Sequence, residues 1–249
     1  MSAFRRRSLL ASPALIAALG ASDAEAQTAQ PLRIAMSIGD VPRLWGGPEA
    51  GFEGVRFGSY FVYDSLTLWD LSRADRPSGL VPGLATAWRV DEADRRRWIV
   101  DLRQGVTFHD GSPFDADAAV WNFEAIFNPQ APQFEGTRSA LVRARVTSYA
   151  GIEKLDTYRI ALTTRMPDAT WPYQMAFVWF ASPTHWKALG GDWAKFAQNP
   201  SGTGPYKVSS VTPRQRADLE ANTAYWDPRR IPKAPRTALL PIPDGAAPW

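Results

Sequence analysis

Between Arg97 and Phe127 the spacing of apolar and polar positions changes twice. Trp98, Val100 and Leu102 alternate with Arg97, Ile99, Asp101 and Arg103, the period of two that marks a strand. Gly105 interrupts the run, Val106 to Phe108 resume it, and Asp110-Gly111 closes it as a turn dipeptide. Asp115 then stands where a helix N-cap is expected, its carboxylate placed to accept from the first free amides. Val120, Phe123 and Phe127 fall at i, i+3 and i+7 and predict one apolar helical face. Asn128-Pro129 ends the helix, because the residue before a proline is pushed out of the α region.

The same reading extends along the chain. Leu32 to Ile38 alternates and predicts a first strand; residues 39–54 follow as a loop rich in glycine and proline. Val55 to Leu68 predicts a helix that buries Phe57, Phe61 and Leu68. Thr86 to Val90 and Arg96 to Arg103 predict a hairpin joined by the polar turn Asp91 to Arg95, and the arginines 95–97 read as a charged edge that discourages strand addition. Residues 130–142 read as irregular. Val146 to Leu155 and Tyr158 to Thr163 predict a second hairpin turning at Asp156-Thr157. Short helices are expected over 169–177, after a Thr184 cap, and over 192–196. Tyr206 to Val211 and the run from Leu239 to Asp244 predict further strands.

Several of these segments also carry distinctive motifs. Leu102-Arg103, Gly105-Val106, Phe108-His109-Asp110-Gly111 and Ala116 resemble the signature of the family 5 extracellular solute-binding proteins, the peptide, nickel and oligosaccharide receptors of ABC importers. Ala118 and Ala119 replace the Asp-Val usual in that helix. Tyr63-Asp64-Ser65-Leu66, Leu80 to Ala85 with Ala87-Trp88, Gly202-Thr203-Gly204-Pro205-Tyr206, Asn222 with Tyr225-Trp226, and Ile242-Pro243-Asp244 are similar to further hallmarks of the family. A phosphate-cradling reading of 202–207 is excluded by Pro205, the missing Lys-Ser/Thr and the absence of a following helix.

The resemblance implies an α/β fold, a type 2 periplasmic-binding-protein-like lobe with a mixed sheet and flanking helices, carrying an inserted α+β subdomain. Segments 27–69 and 183–249 would form lobe I, and 70–182 the insertion. Family members continue well past the Ile-Pro-Asp strand into a second large lobe; here Gly245 to Trp249 ends the chain, so the C-terminal lobe is expected to be absent. The implied partners are a short peptide or similar small polar solute and the permease subunits of an ABC transporter in the inner membrane. Side-chain type and loop position select Trp45, Phe52, Glu53, Phe134, Arg138 and Trp179 as ligand contacts. Glu53 would pair an amino group and Arg138 a carboxylate. Aromatic surface with a few oriented polar groups is the chemistry of a small-molecule site.

Composition narrows the alternatives. A net charge of +3 is too small and dispersed for nucleic acid, and no cofactor is implied. With no cysteine and only two histidines, His109 and His185, far apart in sequence, no metal site is expected. His109 beside Asp110 reads as part of a turn rather than a catalytic dyad, no Gly-x-Ser-x-Gly elbow occurs, and no catalytic residue is assigned. Arg5-Arg6-Arg7, the apolar run Leu9 to Leu19 and Ala24-Glu25-Ala26 predict a signal peptide over 1–26, of either the ordinary secretory or the twin-arginine type, and a periplasmic protein with no lipid anchor. Two other readings stay open. A secreted hydrolase or carbohydrate-active domain predicts turnover, and a non-functional truncated fragment predicts no ligand at all.

Overall fold

The computed structural model describes residues 30–242. The expected signal segment, Pro243-Asp244, expected to end the last strand, and Gly245 to Trp249 lie outside the described residues. Two four-stranded sheets and a two-stranded pair organise the rest. The first sheet has the order β1-β10-β9-β8, with β1 at Leu32–Met36, β8 at Tyr206–Thr212, β9 at Arg216–Ala221 and β10 at Arg236–Pro241. β1 and β10 run parallel, while the β10–β9 and β9–β8 pairs are antiparallel. β10 buries the consecutive residues Thr237, Ala238 and Leu239, as expected of a strand covered on both faces.

A helical stretch packs near this sheet: α1 (Gly51–Glu53), a π-helical turn (Gly54–Ser59) and α2 (Tyr60–Val62). Gly54 and Gly58 let the preceding loop lie directly on it. A Cβ at Gly54 would stand 1.8 Å from the Glu49 carbonyl oxygen, and one at Gly58 would stand 3.2 Å from Leu44 Cδ2. The helix expected over 55–68 therefore starts earlier and stops at Val62, and Leu68 belongs to a strand. Tyr63 is extended, because the next residue, Asp64, turns its carboxylate into a buried cluster. β2 (Thr67–Trp69) then pairs with β3 (Leu80–Pro82).

The second sheet has the order β4-β5-β7-β6, all antiparallel, from β4 (Ala85–Val90), β5 (Arg97–Leu102), β6 (Tyr149–Asp156) and β7 (Arg159–Thr164). Both expected hairpins are present here. The expected strand at Val106 to Phe108 reduces to a single bridge, Thr107 to Pro113. α3 (Ala116–Phe127) is capped as anticipated, the Asp115 side chain accepting from the Ala118 amide at 2.9 Å. Its buried stripe is Ala116, Ala119, Phe123 and Ile126; Val120 and Phe127 lie half-buried at its margin.

Residues 136–143, expected to be irregular, form α4 (Gly136–Arg143), started by the Glu135 carboxylate on the Arg138 amide at 2.6 Å. α5 (Trp171–Gln174) runs into a 3-10 turn. α6 (Pro183–Ala188) is capped by Ser182 rather than Thr184, with Pro183 occupying the first helical position, where its missing N–H costs nothing. Asp192 caps α7 (Trp193–Gln198). α3 joins the two hydrophobic cores: Phe123 packs with the β4–β7 sheet, and Ala125 faces the core of the other sheet.

Candidate functional site

The six residues singled out on loops fall in two groups. Trp45, Arg138 and Trp179 come together in one buried cluster. Phe52 is largely exposed, its ring 6.0 Å from the Arg56 guanidinium. Glu53 and Phe134 are half-buried, and one Glu53 carboxylate oxygen is buried without a partner.

The cluster is built by four chain segments around the first turn of α4. Arg138 is 0% exposed. Its Nε donates to the Gly46 carbonyl at 3.2 Å, and its Nη2 donates to the Trp179 carbonyl at 3.2 Å and to Asn122 Oδ1 at 3.4 Å. The Trp193 ring lies 4.8 Å from the guanidinium carbon. Nη1 has no partner, and among the described residues no carboxylate forms an ion pair with this cation. Burial lowers the Arg138 pKa to about 10, opposed by the Tyr63 hydroxyl and the Glu135 carboxylate, so the group is charged at neutral pH.

Two residues of this cluster carry further orphan donors. The indole nitrogens of Trp45 and Trp179 are buried and unpaired. A methyl group at Gly47 would lie 3.0 Å from the Trp45 indole nitrogen and 3.3 Å from Arg138 Cγ, so loop 44–47 is pressed onto the arginine. Tyr63 holds that loop from the other side, donating to the Leu44 carbonyl at 2.8 Å, and burial raises its pKa. The cluster is thus rich in donors and short of acceptors. A buried cation without an anion costs several kcal/mol, and its free N–H groups are matched best by a carboxylate.

Sequence reading missed Asn122, which fixes the segment behind Trp179 by donating to the Ala181 carbonyl at 2.9 Å and accepting from the Ala181 amide at 2.9 Å. Its signal was available: one amide among the apolar residues of the α3 inner face. Also missed was an aromatic trough outside the cluster. A cavity of about 510 Å³ is lined by the aromatic side chains Phe57, Tyr60, Phe61, Trp69 and Tyr206 together with Leu71, Arg56 and Arg230. The Tyr60 ring meets Trp179 edge-on at 5.7 Å, so the trough and the arginine cluster share a wall. Desolvation pushes the Tyr60 hydroxyl up to about 12.

The histidines serve structure. The half-buried His109 donates from Nε2 to the Gly204 carbonyl at 2.9 Å and accepts the Gly202 amide at Nδ1 at 3.4 Å. Both nitrogens are occupied by one turn, and burial lowers the pKa to about 4. His185 bonds the Asn199 carbonyl at 2.7 Å. Among the described residues no group of three or more acidic, histidine or cysteine side chains is placed to hold a metal.

Comparison with known proteins gives a consistent result. Residues 79–248 match the bacterial extracellular solute-binding proteins, family 5 (middle region). Di/tripeptide-binding protein 3 of Pseudomonas aeruginosa is 25% identical over 203 residues, covering 74% of this chain and 38% of that protein. The nickel-binding periplasmic protein of Escherichia coli is 26% identical over 188 residues, covering 75% of this chain and 33% of its own. Among solved structures, a dipeptide-binding protein from Pseudoalteromonas in complex with Met-Leu superposes with a TM-score of 0.74 at 19% identity, over 87% of this chain and 44% of that one. The periplasmic binding protein DppA of Helicobacter pylori, in complex with the peptide STSA, gives 0.72 at 23% identity, over 86% and 43%. The chain thus spans about two fifths of the length of the proteins it matches.

Proposed function

Since the chain belongs to the bacterial extracellular solute-binding proteins of family 5, we propose that it holds a short peptide or similar small polar solute for uptake through an ABC importer in the inner membrane. The family consists of substrate-binding proteins, and relatives such as the nickel-binding protein are periplasmic by name. The same location is proposed for this chain, with residues 27–69 and 183–249 as the lobe and 70–182 as its insertion. No helix among the described residues is long and apolar enough to cross a membrane.

The observation that carries the reading is the Arg138 cluster: a fully buried guanidinium with one nitrogen unbonded and, among the described residues, no carboxylate in ion-pair contact with it. In this proposal a carboxylate of the solute takes the Nη1 edge, and the Trp45 and Trp179 indoles supply further donors. The trough carries the body of the solute on Tyr60 and Trp69, with Phe52, Glu53 and Phe134 at its approaches. Entry requires loop 46–51 to lift. Its ends are suited to that: Gly46 and Gly51 have φ of 74° and 61°, and Ala50 is held at 55°, a left-handed conformation costly for a residue with a Cβ. Micromolar binding corresponds to about 8 kcal/mol, within reach of one charge-assisted pair plus desolvated aromatic surface.

Native mass spectrometry of the protein as isolated, followed by thermal melting against short peptides and metal chelates, tests this. A retained small molecule is expected, or a rise of several degrees with peptides that keep a free carboxylate. Absence of both across the panel would contradict the proposal.

A further inference from the structure

The loop that covers Arg138 is pinched at its neck. Residues 44–48 are all buried, while Arg43 and Ala50 are exposed and Glu49 is half-buried. Arg43 Nε donates to both oxygens of the Glu49 carboxylate at 2.8 Å, joining the two ends of the buried stretch. The same guanidinium carbon lies 3.9 Å from the centroid of the Trp45 ring. One exposed arginine therefore ties the neck of the loop to its body, and the whole is built like a small Ω loop, with its ends close and its own side chains packed inside.

Underneath, the loop offers carbonyl oxygens. The Tyr63 hydroxyl donates to Leu44 at 2.8 Å, Arg138 Nε to Gly46 at 3.2 Å, and the Ser59 hydroxyl to Gly47 at 3.2 Å. The Gly46 carbonyl thus sits on the guanidinium that a carboxylate would approach, and the closed loop competes with any such anion. Both flanks of the neck rest on one glycine: a Cβ at Gly54 would stand 1.8 Å from the Glu49 carbonyl oxygen and 3.2 Å from Pro42 Cβ. Just past the neck, Ala50 and Gly51 have φ of 55° and 61°, and the strain at Ala50 favours release of the loop.

We propose that the Arg43–Glu49 pair is the clasp of an autoinhibitory contact: it keeps loop 44–48 on Arg138 and sets how often that guanidinium becomes accessible. The bearing of the clasp on solute entry rests on the reading of Arg138 as the receiving group. An exposed ion pair alone contributes little, but here the indole stack is lost with it when Arg43 is removed.

Phenylglyoxal, which condenses with accessible guanidiniums, reads the opening without any solute. Labelling of Arg138 is followed by peptide mass mapping of the 249-residue protein. Arg43→Met is expected to speed it at least about fivefold and Glu49→Gln about threefold, with the urea midpoint unchanged in both. Raising salt from roughly 50 to 500 mM should speed labelling of the native protein about twofold and leave Glu49→Gln indifferent. Asp75→Asn, which breaks an exposed ion pair with Arg73 elsewhere, should not alter it. Equal labelling of Arg138 in the native protein and both clasp variants overturns the proposal, since the loop would then lift with the pair intact or not at all. A rise in Asp75→Asn as large as in Glu49→Gln overturns it too. Because no solute enters the measurement, its outcome is separate from that of the ligand experiments.

Discussion

Two buried charges in this protein are treated in opposite ways. Asp64 is 1% exposed, and its carboxylate accepts from the Tyr225 hydroxyl at 2.8 Å, the Trp226 indole at 2.8 Å and the Thr203 hydroxyl at 3.1 Å, with Arg230 at 3.9 Å. Burial pushes its pKa up, and those donors together with the arginine charge oppose the shift. Arg138 is buried as deeply, yet its guanidinium has three acceptors, no ion-paired carboxylate among the described residues and a free nitrogen. A buried charge whose shell is complete ties segments together; one whose shell is incomplete leaves free energy to be recovered from a ligand. Asp64 joins the segment after α2 to two distant turns, at sequence separations of 139 and 161. Under the proposed function, the Arg138 shell is the one that a solute carboxylate completes.

The largest effect is expected at the complete shell. Asp64→Ala strands two hydroxyls and an indole without their acceptor, and urea unfolding should show a loss of about 3–5 kcal/mol. A loss under about 1 kcal/mol would erase the contrast between the two charges.

Next is acid stability. His109 has its pKa lowered from the ordinary 6.5 to about 4 by burial, so the unfolded chain binds the extra proton first as pH falls. Its contribution is complete above pH 6.5 and is lost progressively as pH drops towards 4, with an expected size of about 3 kcal/mol. His109→Gln should flatten the stability profile in that window, measured as the urea midpoint against pH.

Arg138→Met is expected to be milder for folding, about 1–2 kcal/mol, since it forfeits bonds to two carbonyls and an amide but relieves an unpaired buried cation. Smallest is Asp115→Ala, which removes the α3 cap and should cost about 1 kcal/mol in the same unfolding measurement.

Local chemistry made much of the fold readable. The alternation of Trp98, Val100 and Leu102, the Asp115 cap and the Asp156-Thr157 turn each depend on neighbours within a few residues, and each appears where expected. The misplacements have non-local causes. The helix after loop 40–50 ends at Val62 because Asp64 is recruited by residues as far as 139 and 161 positions away. α4 begins on Gly136-Thr137, weak helix formers, and its cap is a glutamate rather than a more usual residue. β9, Arg216–Ala221, carries no β-branched or aromatic residue and forms because β8 and β10 flank it. At the candidate site, residue type and loop position pointed to Trp45, Arg138 and Trp179 one by one. That Arg138 would meet Gly46, 92 positions away, and Trp179, 41 away, was not written in any local pattern.

The most direct test compares one peptide ligand with its C-terminal amide in two proteins. Calorimetric titration should show the free carboxylate preferred more than about tenfold by the native protein, and that preference should vanish in Arg138→Met while the fold persists. An undiminished preference in the Arg138→Met variant would show that the unpaired guanidinium is not what receives the solute.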